Sequence, residues 1–199
     1  MLYYHRAERK FMQKQNNLQK LYRYFSGVGD KLGMGIDQEI LETVVVFNAL
    51  EIPTSASCEG HTDHGINGPW VDIESKDIEL LNEQIKKILV EIDIKEKSEA
   101  SKEEVEKMLL KLHKLDQIRK NKNLEIVKRI LNDLELFYKN KEISFDKRLI
   151  IIFYGSFARI ISQGADMQDL EPARFRQEKL LEYQKEMKSF TKFLKEKYI

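Results

Sequence analysis

Apolar and polar positions along this chain change period several times, and each change predicts an element. Phe11, Leu18, Leu21, Tyr22 and Phe25 fall near one helical face, with Arg9, Lys10, Lys14 and Lys20 elsewhere, which predicts a helix over 6–26. The stretch Gly27 to Gly35 holds four of the nine glycines and reads as a loop. Asp37 is placed as an N-cap, and Ile40, Leu41, Val44, Val45 and Phe47 form the buried face of a helix reaching about Leu50. Pro53 forbids its continuation. Thr54 to Cys58 is short, small and compatible with a strand, and Trp70-Val71-Asp72-Ile73-Glu74 alternates as a half-buried strand does.

From Asp77, itself placed as a cap, the helical period returns through Ile78, Leu81, Ile85, Ile88, Leu89 and Ile92. Ser98 to Ser101 is a break, with Ser101 and Glu104 spaced as a capping box. A second helical stretch runs through Val105, Met108, Leu109, Leu112 and Leu115. After a kink expected near Asn121-Lys122-Asn123 it continues through Ile126, Ile130, Leu131, Leu134 and Phe137. Arg148 to Tyr154 and Phe157 to Ser162 read as strands joined by a turn at Gly155-Ser156. Pro172 opens a last helix, whose Leu180, Tyr183, Met187, Phe190 and Leu194 follow a 3-4-3-4 spacing suited to packing on another helix. The fold class is therefore α+β. One domain over 1–199 holds a small antiparallel sheet of about four strands, flanked by long helices and split by a helical insertion at 77–141.

Composition sharpens this picture. Charged residues make up 34% of the chain, which fits long solvated helices; ten Phe and eight Tyr argue against disorder. A net charge of +1 gives no whole-protein attraction to nucleic acid or to anionic membrane. The uncharged apolar runs, Val44 to Phe47 and Leu149 to Tyr154, are too short to span a bilayer, so no membrane partner is expected. A charged N-terminal segment around Arg6 and a single cysteine lead to the expectation of a cytoplasmic protein without disulfides.

Chemistry concentrates in Ser57-Cys58-Glu59-Gly60-His61-Thr62-Asp63-His64-Gly65. Cys58, His61 and His64 are spaced Cys-x2-His-x2-His, and thiolate and imidazole are ligands for zinc or a similar metal. Glu59, Trp70 and Asp72 are candidate ligand-binding residues beside them, Asp72 also as a fourth ligand or a support to one. The same residues also compose an ordinary polar turn with a cysteine that is a buried small residue, and zinc sites usually draw ligands from a second segment; His5 and His113 lie in no such cluster. A third reading makes Cys58 a nucleophile with His61 lowering its pKa.

Over residues 30–75 the chain resembles the wybutosine-synthesis tRNA methyltransferase family. The similarity rests on Asp30-Lys31, Gly35-Ile36-Asp37, a helix ending in Phe47-Asn48, the run Thr54-Ser55-Ala56-Ser57-Cys58-Glu59-Gly60, and Gly68-Pro69-Trp70-Val71. His61 stands where that family has arginine. The resemblance implies an S-adenosylmethionine-dependent enzyme acting on tRNA. A second segment, Gly155-Ser156-Phe157-Ala158-Arg159 followed by Asp166 and Asp169, looks like the turn of minimal nucleotidyltransferases, although those two aspartates are not spaced to alternate on a strand.

The terminal helices are the basic part of the chain. Residues 1–31 hold seven Lys or Arg against two acids, interleaved with Tyr3, Tyr4, Tyr22, Tyr24 and Phe25, and 173–199 hold eight against four. Side by side they would suit a nucleic-acid backbone; apart, their aromatics are core and their lysines solvated. The leading expectation is a protein with a metal- or small-ligand-binding loop at 57–65, with zinc as the metal. The alternative is a nucleic-acid-associated, RNA-modifying protein, and a homodimer through the helices is a further expected partner.

Overall fold

The computed structural model describes residues 2–29, 33–98, 102–167 and 173–199, with the side chains of the first helix from Lys14 onward. Asp30 and Lys31 of the resemblance, Ser101 of the capping box, and Asp169 and Pro172 lie outside the described residues, as do the side chains of Tyr3, Tyr4, His5, Arg6, Arg9, Lys10 and Phe11.

Strands β1 (Thr54–Cys58), β2 (Trp70–Ile73), β3 (Leu149–Phe153) and β4 (Ala158–Ser162) form one antiparallel sheet in the order β1-β2-β4-β3. The fold is α+β, as the alternating periods imply. β3 and β4 make a tight hairpin: the Tyr154 amide donates to the Phe157 carbonyl at 2.9 Å, and Gly155 takes φ +81°, a conformation that favours glycine. Around the sheet lie α1 (Leu2–Ser26), α2 (Gln38–Ala49), α3 (Glu79–Lys97), α4 (Lys102–Tyr138), the short α5 (Gln163–Asp166) and α6 (Arg176–Tyr198).

One face of the sheet, carrying Val71, Ile73, Leu149 and Ile160, packs against Ile40, Val45 and Phe47 of α2, Ile130 and Leu134 of α4, and Met187, Phe190 and Leu194 of α6. A smaller cluster joins Ile161 and Ala165 to Tyr183. All five residues of the α6 stripe are buried within the chain itself. A second subunit is not needed to cover them.

Two local expectations are corrected, at Asp77 and at Leu89. α4 runs as one continuous helix of 37 residues, about 55 Å along its axis, through Asn121-Lys122-Asn123. Asn123 is buried there because its amide clasps two loops. It donates to the carbonyls of Gly155 (3.1 Å) and Ser156 (2.5 Å) and accepts from the Ser75 amide (2.9 Å). Asp77 does not cap α3; it sits in a 3-10 turn, Lys76–Ile78, and pairs with Lys122. Of the face expected on α3, Ile78, Ile85, Ile88 and Ile92 are buried and Leu81 is half-buried, but Leu89 is exposed, as are Val90 and Ile94 outside that face. α3 packs on α4 and the preceding turn, so a stripe that the periodicity marks as apolar finds a partner on one side only.

Among the described residues no helix is long and apolar enough to cross a membrane.

Candidate metal site at the end of β1

Asp37 occupies the N-cap position of α2, and its carbonyl accepts from the amides of Ile40 (3.2 Å) and Leu41 (3.1 Å). Its carboxylate does not cap the helix. It turns to β1 and accepts from the Glu59 amide at 3.0 Å. The capping role passes to Glu59, whose carboxylate accepts from the Glu39 amide in the first turn of α2 at 3.1 Å. The end of β1 and the start of α2 are thus tied in both directions. Gln184 of α6 adds a third tie, donating to the Glu59 carbonyl at 3.0 Å. Glu59, expected as a ligand-binding residue, has its carboxylate and main chain engaged in this scaffold.

The loop after Glu59 is fixed by close backbone packing. Gly60 adopts φ +86°, and a Cβ there would come within 2.5 Å of the Gly68 backbone and 2.7 Å of a Leu180 methyl. Between these two glycines the chain closes on itself, the His61 amide donating to the Ile66 carbonyl at 3.1 Å. This closure lifts Asp63 and His64 outward and leaves His61 facing back towards Asp37 and Cys58.

One carboxylate oxygen of Asp37, Sγ of Cys58 and one ring nitrogen of His61 lie within 4.8 Å of one another, all three residues half-buried. His61 Nε2 stands 4.0 Å from Asp37 Oδ2. His61 also belongs to a second, more exposed group with Asp63 and His64. The two imidazoles stack with ring centroids 4.2 Å apart and planes at 16°, and His64 Nδ1 is 2.8 Å from Asp63 Oδ1. Of the three expected metal ligands, Cys58 and His61 come together, and His64 stands behind His61 rather than in the Cys58 group. Asp37, the residue from a second segment, completes that group. The sequence hid it, because an aspartate before a helix has the signature of a cap.

Trp70 and Asp72 lie elsewhere on the sheet. Both oxygens of Asp72 accept from Arg159 (2.7 and 2.9 Å), directly opposite on β4, and the guanidinium lies 3.8 Å from the centre of the Trp70 ring. Asp72 is therefore half of a stacked ion pair and does not join either group of prospective ligands.

Burial pushes the Cys58 thiol pKa up, an effect the Gly60 N–H (3.3 Å from Sγ) opposes and Asp37 reinforces. In the absence of a cation the group is a thiol, which is unfavourable for a nucleophile. Iodoacetamide at neutral pH is therefore expected to alkylate native Cys58 severalfold more slowly than the urea-unfolded chain, with the rate rising as pH is raised into the alkaline range. Native labelling as fast as in the unfolded chain would count against this environment.

No family model, curated protein or solved structure matches this chain.

Proposed function

We propose that the protein binds a divalent transition metal, zinc first among them, through Asp37, Cys58 and His61. The observation that carries this reading is the meeting of a carboxylate, a thiol and an imidazole, drawn from the start of α2 and the end of β1, within 4.8 Å. Ligands at 2.0–2.3 Å from a tetrahedral ion lie roughly 3.5 Å apart, so the side chains need only small inward movements. Three protein ligands leave a fourth position for water or a small molecule, the arrangement of zinc sites that keep an open coordination place. Bound metal would convert the Cys58 thiol to thiolate, offsetting the burial that otherwise keeps it protonated. Affinity then falls as pH is lowered, because one proton must leave Cys58 for each ion bound. Stacking on His64 would steady the His61 ring in its ligating orientation.

The test is cobalt titration of protein made without a histidine tag, followed by zinc competition. A thiolate-to-cobalt charge-transfer band is expected, absent in Cys58→Ser. Asp37→Ala and His61→Ala each weaken binding at least about tenfold, whereas His64→Ala changes it by no more than a few-fold. Absence of a band at equimolar cobalt and neutral pH would refute the proposal.

The alternative, a nucleic-acid-associated protein using the terminal helices, has thinner support. Lys179, Lys188, Lys195 and Lys197 of α6 are paired with Asp146, Glu39, Glu42 and Asp133. Such pairing leaves less positive charge for a phosphate backbone than the sequence count implies.

A further inference from the structure

The two edges of the sheet are built differently. β1 has small and polar residues, an irregular register between Thr54 and Ala56, and a neighbouring carboxylate, Asp37, that takes up the next amide along, that of Glu59. These are devices that blunt an edge. β3 has a regular register and no polar side chain, and only its first amide, that of Leu149, is taken up by a neighbouring side chain. Its sequence Leu149-Ile150-Ile151-Ile152-Phe153 is apolar on both faces, and Phe153 and the following Tyr154 are 41% and 50% exposed.

The hairpin fixes which way its main-chain groups point. At one end of the ladder the Tyr154 amide donates to Phe157, and at the other the Gln163 amide donates to the Arg148 carbonyl. In an antiparallel pair such residues alternate, so Ile150 and Ile152 turn their main-chain groups to β4 while Leu149, Ile151 and Phe153 turn theirs outward. The Tyr138 hydroxyl already takes the Leu149 amide at 2.9 Å. The outward N–H and C=O of Ile151 and Phe153 have no partner among the described residues.

We infer that β3 pairs with β3 of a second copy of this chain, antiparallel about a twofold axis at Ile152, making one sheet of eight strands. In this register Ile151 of each copy lies opposite Phe153 of the other, so each pair exchanges two hydrogen bonds and the open groups of Ile151 and Phe153 are satisfied. Leu149, whose amide is occupied, falls opposite Gly155 of the turn, whose carbonyl Asn123 already takes, so the new ladder ends there. Ile150 falls opposite Tyr154 and Ile152 opposite itself, which joins the apolar stripes of the two copies on one face. A two-strand contact alone covers less than the roughly 800 Å² per partner that a stable dimer buries. On the half of α4 that packs beside β3, Leu124 and Leu131, seven residues apart on one side of the helix, are exposed and supply further apolar area. The symmetry is isologous and closes at two copies.

Sedimentation equilibrium of the full chain over a wide concentration range tests this. The mass is expected to rise from 23.6 kDa towards twice that value. Phe153→Pro removes one outward donor without touching a bond to β4, and Ile152→Lys sets like charges opposite each other on the axis; each is expected to raise the dissociation constant at least tenfold. Circular dichroism and melting at low concentration show whether a variant is folded, and Phe153→Lys replaces either one that is not. A wild-type chain that stays monomeric at every concentration overturns the inference, as do folded variants that dimerise as tightly as wild type.

Discussion

Phe190→Ala is expected to lower the free energy of unfolding by about 3–5 kcal/mol. Phe190 is fully buried where α2, α4 and α6 meet over the sheet. Its ring lies edge-on to Phe47 at 6.4 Å and packs on Phe137 at 5.3 Å and Phe193 at 6.2 Å. Truncation removes the transfer energy of the ring, leaves a cavity between three helices that cannot all close on it, and breaks the aromatic contacts. Whole domains are stable by only about 5–15 kcal/mol, so the loss is a large share of the total. For a chain of this size it corresponds to a melting temperature lower by roughly 6–20 °C. Because α6 buries this side chain within one subunit, the drop should be the same at low and high protein concentration. A loss below about 1 kcal/mol would mean that α6 does not seat on the core as described.

Gly60→Ala should be nearly as damaging, for a different reason. A left-handed conformation costs a residue with a Cβ about 1–2 kcal/mol. The added methyl would also meet the Gly68 backbone at 2.5 Å, and overpacking of that kind costs about 1–3 kcal/mol more. The sum is about 2–5 kcal/mol. Gly65→Ala is the natural control: Gly65 has φ +64° but nothing within 4 Å of a built Cβ, so only the conformational part is lost. Urea denaturation of both variants separates the two contributions, and equal losses would show that the contact with Gly68 is not tight. Since His61 follows Gly60, the same substitution should weaken cobalt binding while Gly65→Ala leaves it close to wild type.

Much of the architecture was legible because burial imposes a period on each element. The α6 stripe, the α2 face and the alternation of Trp70 to Ile73 all became core or sheet. What could not be read were meetings between distant residues. Asp72 looks like a ligand until Arg159, 87 positions later, takes both its oxygens. Asn123 looks like a helix-weakening residue because its three partners belong to segments 48, 32 and 33 positions away. Asp37 looks like a cap because only the folded chain shows Glu59 capping in its place. In the site, the pairing of Cys58 with His61 was visible in their spacing. The separation of His64 was not, since it depends on the closure between His61 and Ile66.

The clasp made by Asn123 also bears on the order in which the chain can assemble. β2 must find β4 across the whole helical insertion, and the entropy of closing a loop grows with the logarithm of its length. α3 and α4, being consecutive and antiparallel, can form from local contacts alone and bring residue 123 back beside residue 75. What remains to be closed is then the stretch from Asn123 to Gly155, less than half the original separation, and Asn123 ties Gly155 to Ser75, the two ends of the original loop. The insertion therefore shortens the search for the central strand pair, where an unstructured segment of equal length would prolong it.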